Sequence, residues 1–520
     1  MNHSKILNIP IFAFFILTVT GCGVSRTQAE QKTDTDFHPS IVNTILTDSN
    51  SFYYLDATSY PDNDPSLPIG VFDSGTGGLT VLEAILQLDE FDNKTGMPGN
   101  DNIPDFKSES FTYLADQANM PYGVYYAEGK TGLLVEHIIK DVDFLLSRKY
   151  YPGEEAQVTF SDKQPVKAVV VACNTATAYG MDYINAFISR VGIDLKVFGV
   201  IDAGTRGALQ HYEPDHDGTI GVMATVGTVG SGGYDASIAR IAGEMGYRGK
   251  IRVFSIGAHG IAEAVDEERD FLDRSLTAPR ASYRGPSLAD TIYTIHRELF
   301  DAYNFDFSGN KMLCDTDNPS TCNILQLNDP ENYVRYHMVS LLEKIRKDPG
   351  SRPLKTIILG CTHYPYLAEE FTQILKELRD FRRNEEYIYR HLLAEEVILV
   401  DPAVNVASEL YSYLKKASLD RIDEPYDGNH EFYISVPNTS NPSIRLDEYG
   451  RFTYDYKYGR REGEIQEYIK VVPFSRRNIS DDTLERLARL TPLSFRAIAG
   501  FHSFNPKTSY IKNEFKIVEK

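Results

Sequence analysis

Pro68-Ile69-Gly70-Val71-Phe72-Asp73-Ser74-Gly75-Thr76-Gly77-Gly78-Leu79 decides the fold. A short continuous apolar run ends in an acid, five small residues turn the chain, and a helical pattern follows over residues 79–88. Continuous apolar runs of this length suit strands buried on both faces, as in parallel sheets. The unit recurs. Residues 166–172 read as a strand, then Cys173-Asn174-Thr175, then a helix from 176 to about 191. Further short apolar strands are expected at 197–201, 219–224, 252–256, 356–360 and 397–400. Strand and helix in alternation predict an α/β fold, with working residues at the carboxyl ends of strands. Asp73, Cys173, Asp202, Thr225, Cys361 and Asp401 hold that position.

Two strand ends resemble each other. Lys167-Ala168-Val169-Val170-Val171-Ala172-Cys173-Asn174-Thr175 parallels Lys355-Thr356-Ile357-Ile358-Leu359-Gly360-Cys361-Thr362-His363. The repeat predicts two pseudo-symmetric, doubly wound parallel-sheet domains, each offering a Cys to a cleft between them. A Cys at a strand end is ordinarily a small buried hydrophobe. Here each is followed by hydrogen-bonding groups that are expensive to bury without partners. Asp73 and His363 are titratable groups able to help a thiol lose or regain a proton. The Gly75–Gly78 turn fails the dinucleotide fingerprint, because its sixth position is Thr80. Backbone N–H groups presented to a small anion are the better reading.

The motifs together resemble the glutamate racemases. Residues 69–82 resemble that family's opening motif, 171–178 its first cysteine motif and 359–365 its second. Pro121-Tyr122-Gly123 resembles its substrate loop and 225–234 its Thr/Ser segment, with weaker blocks at 200–204 and 431–435. The resemblance implies an isomerase without pyridoxal phosphate or metal. One thiolate removes the α-proton of an amino acid and a thiol on the opposite face returns one. It implies Cys173, assisted by Asp73, for the D-enantiomer and Cys361, assisted by His363, for the L-enantiomer. It also implies Asp73, Ser74, Tyr122, Gly123, Asn174, Thr175, Thr225, Thr228, Ser231, Thr362 and His363 as the groups that bind substrate. Two features depart from the family pattern. The basic residue expected before Pro121 is missing, and an acid expected after the 252–256 strand is represented by position alone, by Asp266.

The 520 residues contain 53 Lys and Arg against 73 Asp and Glu, a net charge of −20. Such a surface repels phosphate backbones, which excludes nucleic acid as the main partner. The N-terminus has Lys5, an apolar run over 6–20 and then Gly21-Cys22. That pattern is a secretory signal, too short for a membrane span, and it resembles a bacterial lipobox with lipid on Cys22. The expected address is therefore an exported lipoprotein on the periplasmic or cell-surface side of a bacterial membrane, whereas the family is usually cytoplasmic and supplies D-glutamate for the cell wall.

The expected organisation is a signal peptide at 1–21, a tether and N-terminal extension at 22–66, and a first domain at 67–204. A second domain follows at 205–400 with an insertion at 267–352, then a return to the first domain at 401–440 and a C-terminal extension at 441–520. Within the insertion a helix is expected over 287–303. In the extension, the Tyr-rich alternation at 451–458 predicts a hairpin strand as surface decoration, and 481–490 a helix. Cys314 and Cys322, in a polar loop, are candidates for a disulfide in an oxidising compartment. The expected partners are an amino-acid substrate and the membrane, with a homodimer as an open assembly state. Two other readings stand beside the racemase: a lipid-anchored amino-acid or peptidoglycan-fragment binding protein without turnover, and a structural disulfide between Cys173 and Cys361.

Overall fold

The computed structural model describes residues 40–316, 318, 321–421 and 430–519. The leader, Cys22 and the tether up to residue 39 lie outside them. Among the described residues, no helix is long and apolar enough to cross a membrane.

Two sheets carry the fold. The first has six strands in the order Ile469–Pro473, Glu431–Pro437, Phe111–Ala115, Ile69–Asp73, Ala168–Val171 and Lys196–Gly199. All are parallel except Ile469–Pro473, which runs antiparallel along the edge. The second has four parallel strands in the order Leu393–Val400, Leu354–Gly360, Gly218–Ala224 and Ile251–Gly257. Taken in chain order, the four strands from residue 111 to 199 and back to 69 lie 2-1-3-4, and the second sheet is also 2-1-3-4. This shared winding is the structural form of the sequence repeat. The reversal of direction between strands 1 and 3 opens a crevice at their carboxyl ends. Asp73 and Cys173 stand at those ends in the first sheet; Thr225 and Cys361 stand there in the second.

Several expectations are corrected. Folded structure begins before residue 67: the helix Ser40–Thr47 buries Ile41, Val42 and Ile45 in the first half's core, beside Leu134 and Ile138. The 451–458 alternation is the helix Tyr454–Gly459, not a strand. Thr453 caps it by accepting from the Tyr456 N–H at 3.4 Å, and residues four apart, Tyr454 with Tyr458 and Phe452 with Tyr456, pack their rings. An alternating pattern also places aromatics at i and i+4, so it satisfied a helix. Phe452 and Tyr458 are buried, so the segment is not decoration.

Within the stretch 287–303, helical structure is confined to residues 297–303, and the long helix of the insertion is Pro330–Arg346. The Asp290 carboxylate accepts from the N–H groups of Ile292 and Tyr293, both at 2.7 Å. This local turn competes with a helix. Asp481–Leu490 is helical. The C-terminal segment is integral to the first half, with Val472, Phe474, Ile498 and Phe501 in its core.

Candidate active site

Asp73 ends its strand fully surrounded, and the glycine turn wraps its carboxylate: the Gly78 N–H donates to Oδ2 at 2.7 Å. A Cβ on Gly78 would meet Asp73 Cβ at 2.4 Å, and one on Gly77 would meet His363 Cε1 at 2.8 Å. The turn is glycine because two site residues press on it. Burial pushes Asp73 above the usual carboxylate range, against the charge of His363 and the N–H groups of Gly78 and Ser74.

Cys173 is the N-cap of the helix Asn174–Val191, its Sγ accepting from the Ala176 N–H at 3.4 Å. The thiol lies 3.8 Å from Ser74 Oγ. Burial, with the Asp73 charge added, pushes the Cys173 thiol well up, so it rests protonated. Helix N–H groups stand ready to stabilise its anion when one forms.

Cys361 follows the third strand of the second sheet. Its Sγ lies 3.6 Å from His363 Nδ1, and His363 Nε2 lies 3.0 Å from Asp266 Oδ2. Burial works against the imidazolium, but the ion pair with Asp266 outweighs it and holds His363 well above its usual value. Burial likewise opposes the Asp266 carboxylate, yet His363 and Arg486 keep it below the ordinary range. Cys173 and Cys361 are both buried and both free thiols, so they do not form the disulfide considered above. The bond joins Cys314 to Cys322 in the insertion, with Cα atoms 5.7 Å apart.

Side chains from the two halves meet around these thiols. The Tyr234 hydroxyl donates to Asn174 Oδ1 at 2.7 Å, which turns the amide NH₂ of Asn174 into a fixed donor. Thr175 Oγ1 lies 3.2 Å from Thr228 Oγ1 and 3.5 Å from Thr225 Oγ1. Thr80 donates to the Thr362 carbonyl at 3.1 Å, and Thr362 Oγ1 lies 3.4 Å from His363 Nδ1. Gly123 abuts Gly227, where a Cβ would come within 2.8 Å of the Gly123 backbone.

Other expected residues face the scaffold. The Tyr122 hydroxyl is held between Asp116 at 2.6 Å and Asp141 at 2.7 Å, so its side chain braces the loop. Ser231 donates to the Thr228 carbonyl at 2.6 Å and accepts from the Gly233 N–H at 3.0 Å, closing a turn. Asp202 accepts from Ser237 and pairs with Arg240; Asp401 caps the helix Pro402–Ala417. Neither serves the crevice.

The structure also adds residues that the motifs did not single out. Where a basic residue before Pro121 is missing, Lys457 donates to the Met120 carbonyl and Arg460 to Asn119 Oδ1 at 2.9 Å. Both come from the C-terminal segment. Arg486, from the same segment, pairs with Asp266 at 2.9 Å.

The chain is 25% identical to the glutamate racemase of Thermoanaerobacter pseudethanolicus over 370 residues, covering 71% of this chain and 88% of the relative. It is 31% identical to the glutamate racemase of Syntrophus aciditrophicus over 254 residues, covering 48% of this chain and 74% of the relative. Among solved structures it is similar to glutamate racemase isoform RacE1 from Bacillus anthracis, with a TM-score of 0.40 and 22% identity over 70% of this chain and 86% of that one. No protein-family model matches the chain.

Proposed function

The chain belongs to the glutamate racemase family, and from that premise we propose that it interconverts L- and D-glutamate with two thiols, Cys173 and Cys361, and no cofactor. One observation carries the reading: two free, buried thiols stand at equivalent strand ends of two sheets with the same winding. Inversion at a carbon needs a base on one face and an acid on the other, and this duplication supplies one sulfur per face.

In the working form one sulfur is a thiolate and the other a thiol. The thiolate takes the α-proton, the electron pair stays on carbon, and the opposite S–H delivers its proton to the other face. The two sulfurs thereby exchange protonation states. Asp73, held above the ordinary carboxylate range, is the base suited to receive the proton of Cys173. On the other side, the His363 imidazolium offers its proton towards Cys361. Asn174, Thr175 and Thr362 supply hydrogen-bond donors for the substrate carboxylates.

Purified, reduced protein given L-glutamate in D₂O should incorporate α-deuterium and lose optical activity. Absence of exchange across a panel of L-amino acids would sink this reading. Ligand-induced thermal shifts without exchange would establish the binding-protein reading in its place.

We infer further that the chain is exported and anchored through lipid on Cys22, supported by the leader at residues 1–21. Mass spectrometry of the mature N-terminus tests this: an unmodified Cys22, or a retained leader, would refute it.

A further inference from the structure

We propose that Arg486 is a positioning residue for the Cys361 side of the site, acting through Asp266 on His363. The proposal rests on the racemase reading above. The carboxylate of Asp266 is divided between two cations: Oδ1 lies 2.9 Å from Arg486 Nη2, and Oδ2 lies 3.0 Å from His363 Nε2. Arg486 Nη1 also donates to the Val265 carbonyl at 3.4 Å. Two guanidinium contacts on adjacent residues fix both the place and the plane of the carboxylate. A fixed carboxylate in turn fixes the imidazole ring, so that Nδ1 faces Cys361 Sγ at 3.6 Å.

The anchorage of Arg486 lies on the other half of the molecule. Its helix, Asp481–Leu490, buries Leu484 and Leu487 in the core of the first sheet. The next helix, Pro492–Phe504, seats its first N–H groups on Glu83: Leu493 at 3.1 Å and Ser494 at 2.7 Å. Ser494 Oγ donates to the Leu79 carbonyl at 3.2 Å, at the start of the helix that follows the Asp73 turn. Arg486 is therefore carried by the half that holds Asp73 and Cys173, and it grips the half that holds Cys361. The C-terminal segment thus links the two halves beside His363 and orients the Cys361 side.

The test uses the full-length protein with R486Q, R486K, D266N and the D266N/R486Q pair. The equilibrium constant between enantiomers is one, so kcat/KM must fall equally in both directions; about tenfold is expected for R486Q. The diagnostic is the primary deuterium isotope effect from each α-deuterated enantiomer. Slowing transfer at Cys361 alone raises the effect for the enantiomer that Cys361 deprotonates and lowers it for the other, in the same sense as H363N.

R486K should recover part of the rate, and R486Q should add nothing to D266N. Equal isotope effects in R486Q and wild type, or independent additive losses with D266N, would overturn the proposal. If R486Q fails to fold, R486K carries the isotope test, since an ammonium cannot hold Asp266 and the Val265 carbonyl in one plane.

A readout without turnover separates the two claims. The ¹⁵N resonances of the His363 ring should move in R486Q without substrate, and unmoved resonances refute the role of Arg486 whatever the activity. A wild type that exchanges no α-proton refutes the racemase reading instead.

Discussion

The two thiol sites solve one problem with different means. Cys173 sits at a helix N-terminus beside a buried carboxylate that accepts from the Gly78 N–H, and burial with a neighbouring negative charge keeps its proton on. Cys361 has no helix cap; it faces an imidazolium held by a carboxylate that an arginine clamps. The first arrangement is local, built from residues 73–78 and 173–176. The second is assembled from residues 266, 361, 363 and 486. A pseudo-symmetric scaffold has thus been furnished asymmetrically. The local site holds its geometry by backbone contacts and the assembled one by charge.

The largest test of this comparison removes the sulfurs. C173A and C361A should each lower kcat/KM by about 10³-fold or more, equally from either enantiomer, measured by circular dichroism of the substrate. Retention of a tenth of the activity by either variant would break the pairing.

Next in size, D73N and H363N should each cost about 10²-fold while moving isotope effects in opposite senses. Shifts of the same sign would show that the halves do not divide the work.

The third test is stability against pH. The imidazolium of His363 is held above its unfolded value near 6.5, so its contribution is complete below about pH 6.5 and is lost as pH rises through the folded value. Asp266 is held below its unfolded value near 3.9, so its contribution is complete above about pH 3.9 and is lost as pH falls through the folded value. The difference in unfolding free energy between wild type and H363N should therefore be greatest between about pH 4 and 6.5 and shrink on either side. A difference flat from pH 4 to pH 10, by urea titration, would contradict the assembled ion pair.

The smallest effect on catalysis is expected from the C314S/C322S pair. Losing that bridge should lower stability by up to about 3 kcal/mol, read as a urea midpoint shift, and leave kcat/KM unchanged, because the hydrogen-bond partners of its two cysteines, Thr316 and Arg297, are not among the groups around the thiols.

Much of the local site was legible in the sequence, because Asp73, Ser74, the glycine turn, Cys173, Asn174 and Thr175 lie in two short runs attached to strands of their own. The repeated Lys–apolar–Cys run was equally readable, since it spans one strand and one turn. The assembled site was legible only in part: Asp266 could be marked by position alone, and it does pair with His363, but Arg486 could not be marked at all. Asp266 and Arg486 are 220 residues apart, and no periodicity links an acid in one half to an arginine in another. His363 with Cys361 was visible for the opposite reason, being two residues away.

Errors of secondary structure have local causes. The alternation at 451–458 satisfies both periods, and the cap at Thr453 with stacked i,i+4 rings decides for the helix. The strand Phe111–Ala115 follows a Pro- and Asp-rich loop whose composition hid the five buried residues after it. In the C-terminal segment, tyrosines and phenylalanines that look like surface chemistry are the core that attaches Lys457, Arg460 and Arg486 to the site.

The antiparallel strand Ile469–Pro473 has a consequence for the order of assembly. The second sheet draws its strands from one unbroken stretch, residues 218–400, whereas the first needs strands from residue 69 through to 473. During synthesis from the N-terminus, the half that bears Cys361 has all its strands while the sheet beneath Cys173 still lacks two. The electrostatic clamp on His363 arrives later still, with residue 486. Maturation of the active site therefore tracks the emergence of the last part of the chain, and a ribosome stalled near residue 460 would hold a finished second sheet beside an unfinished first.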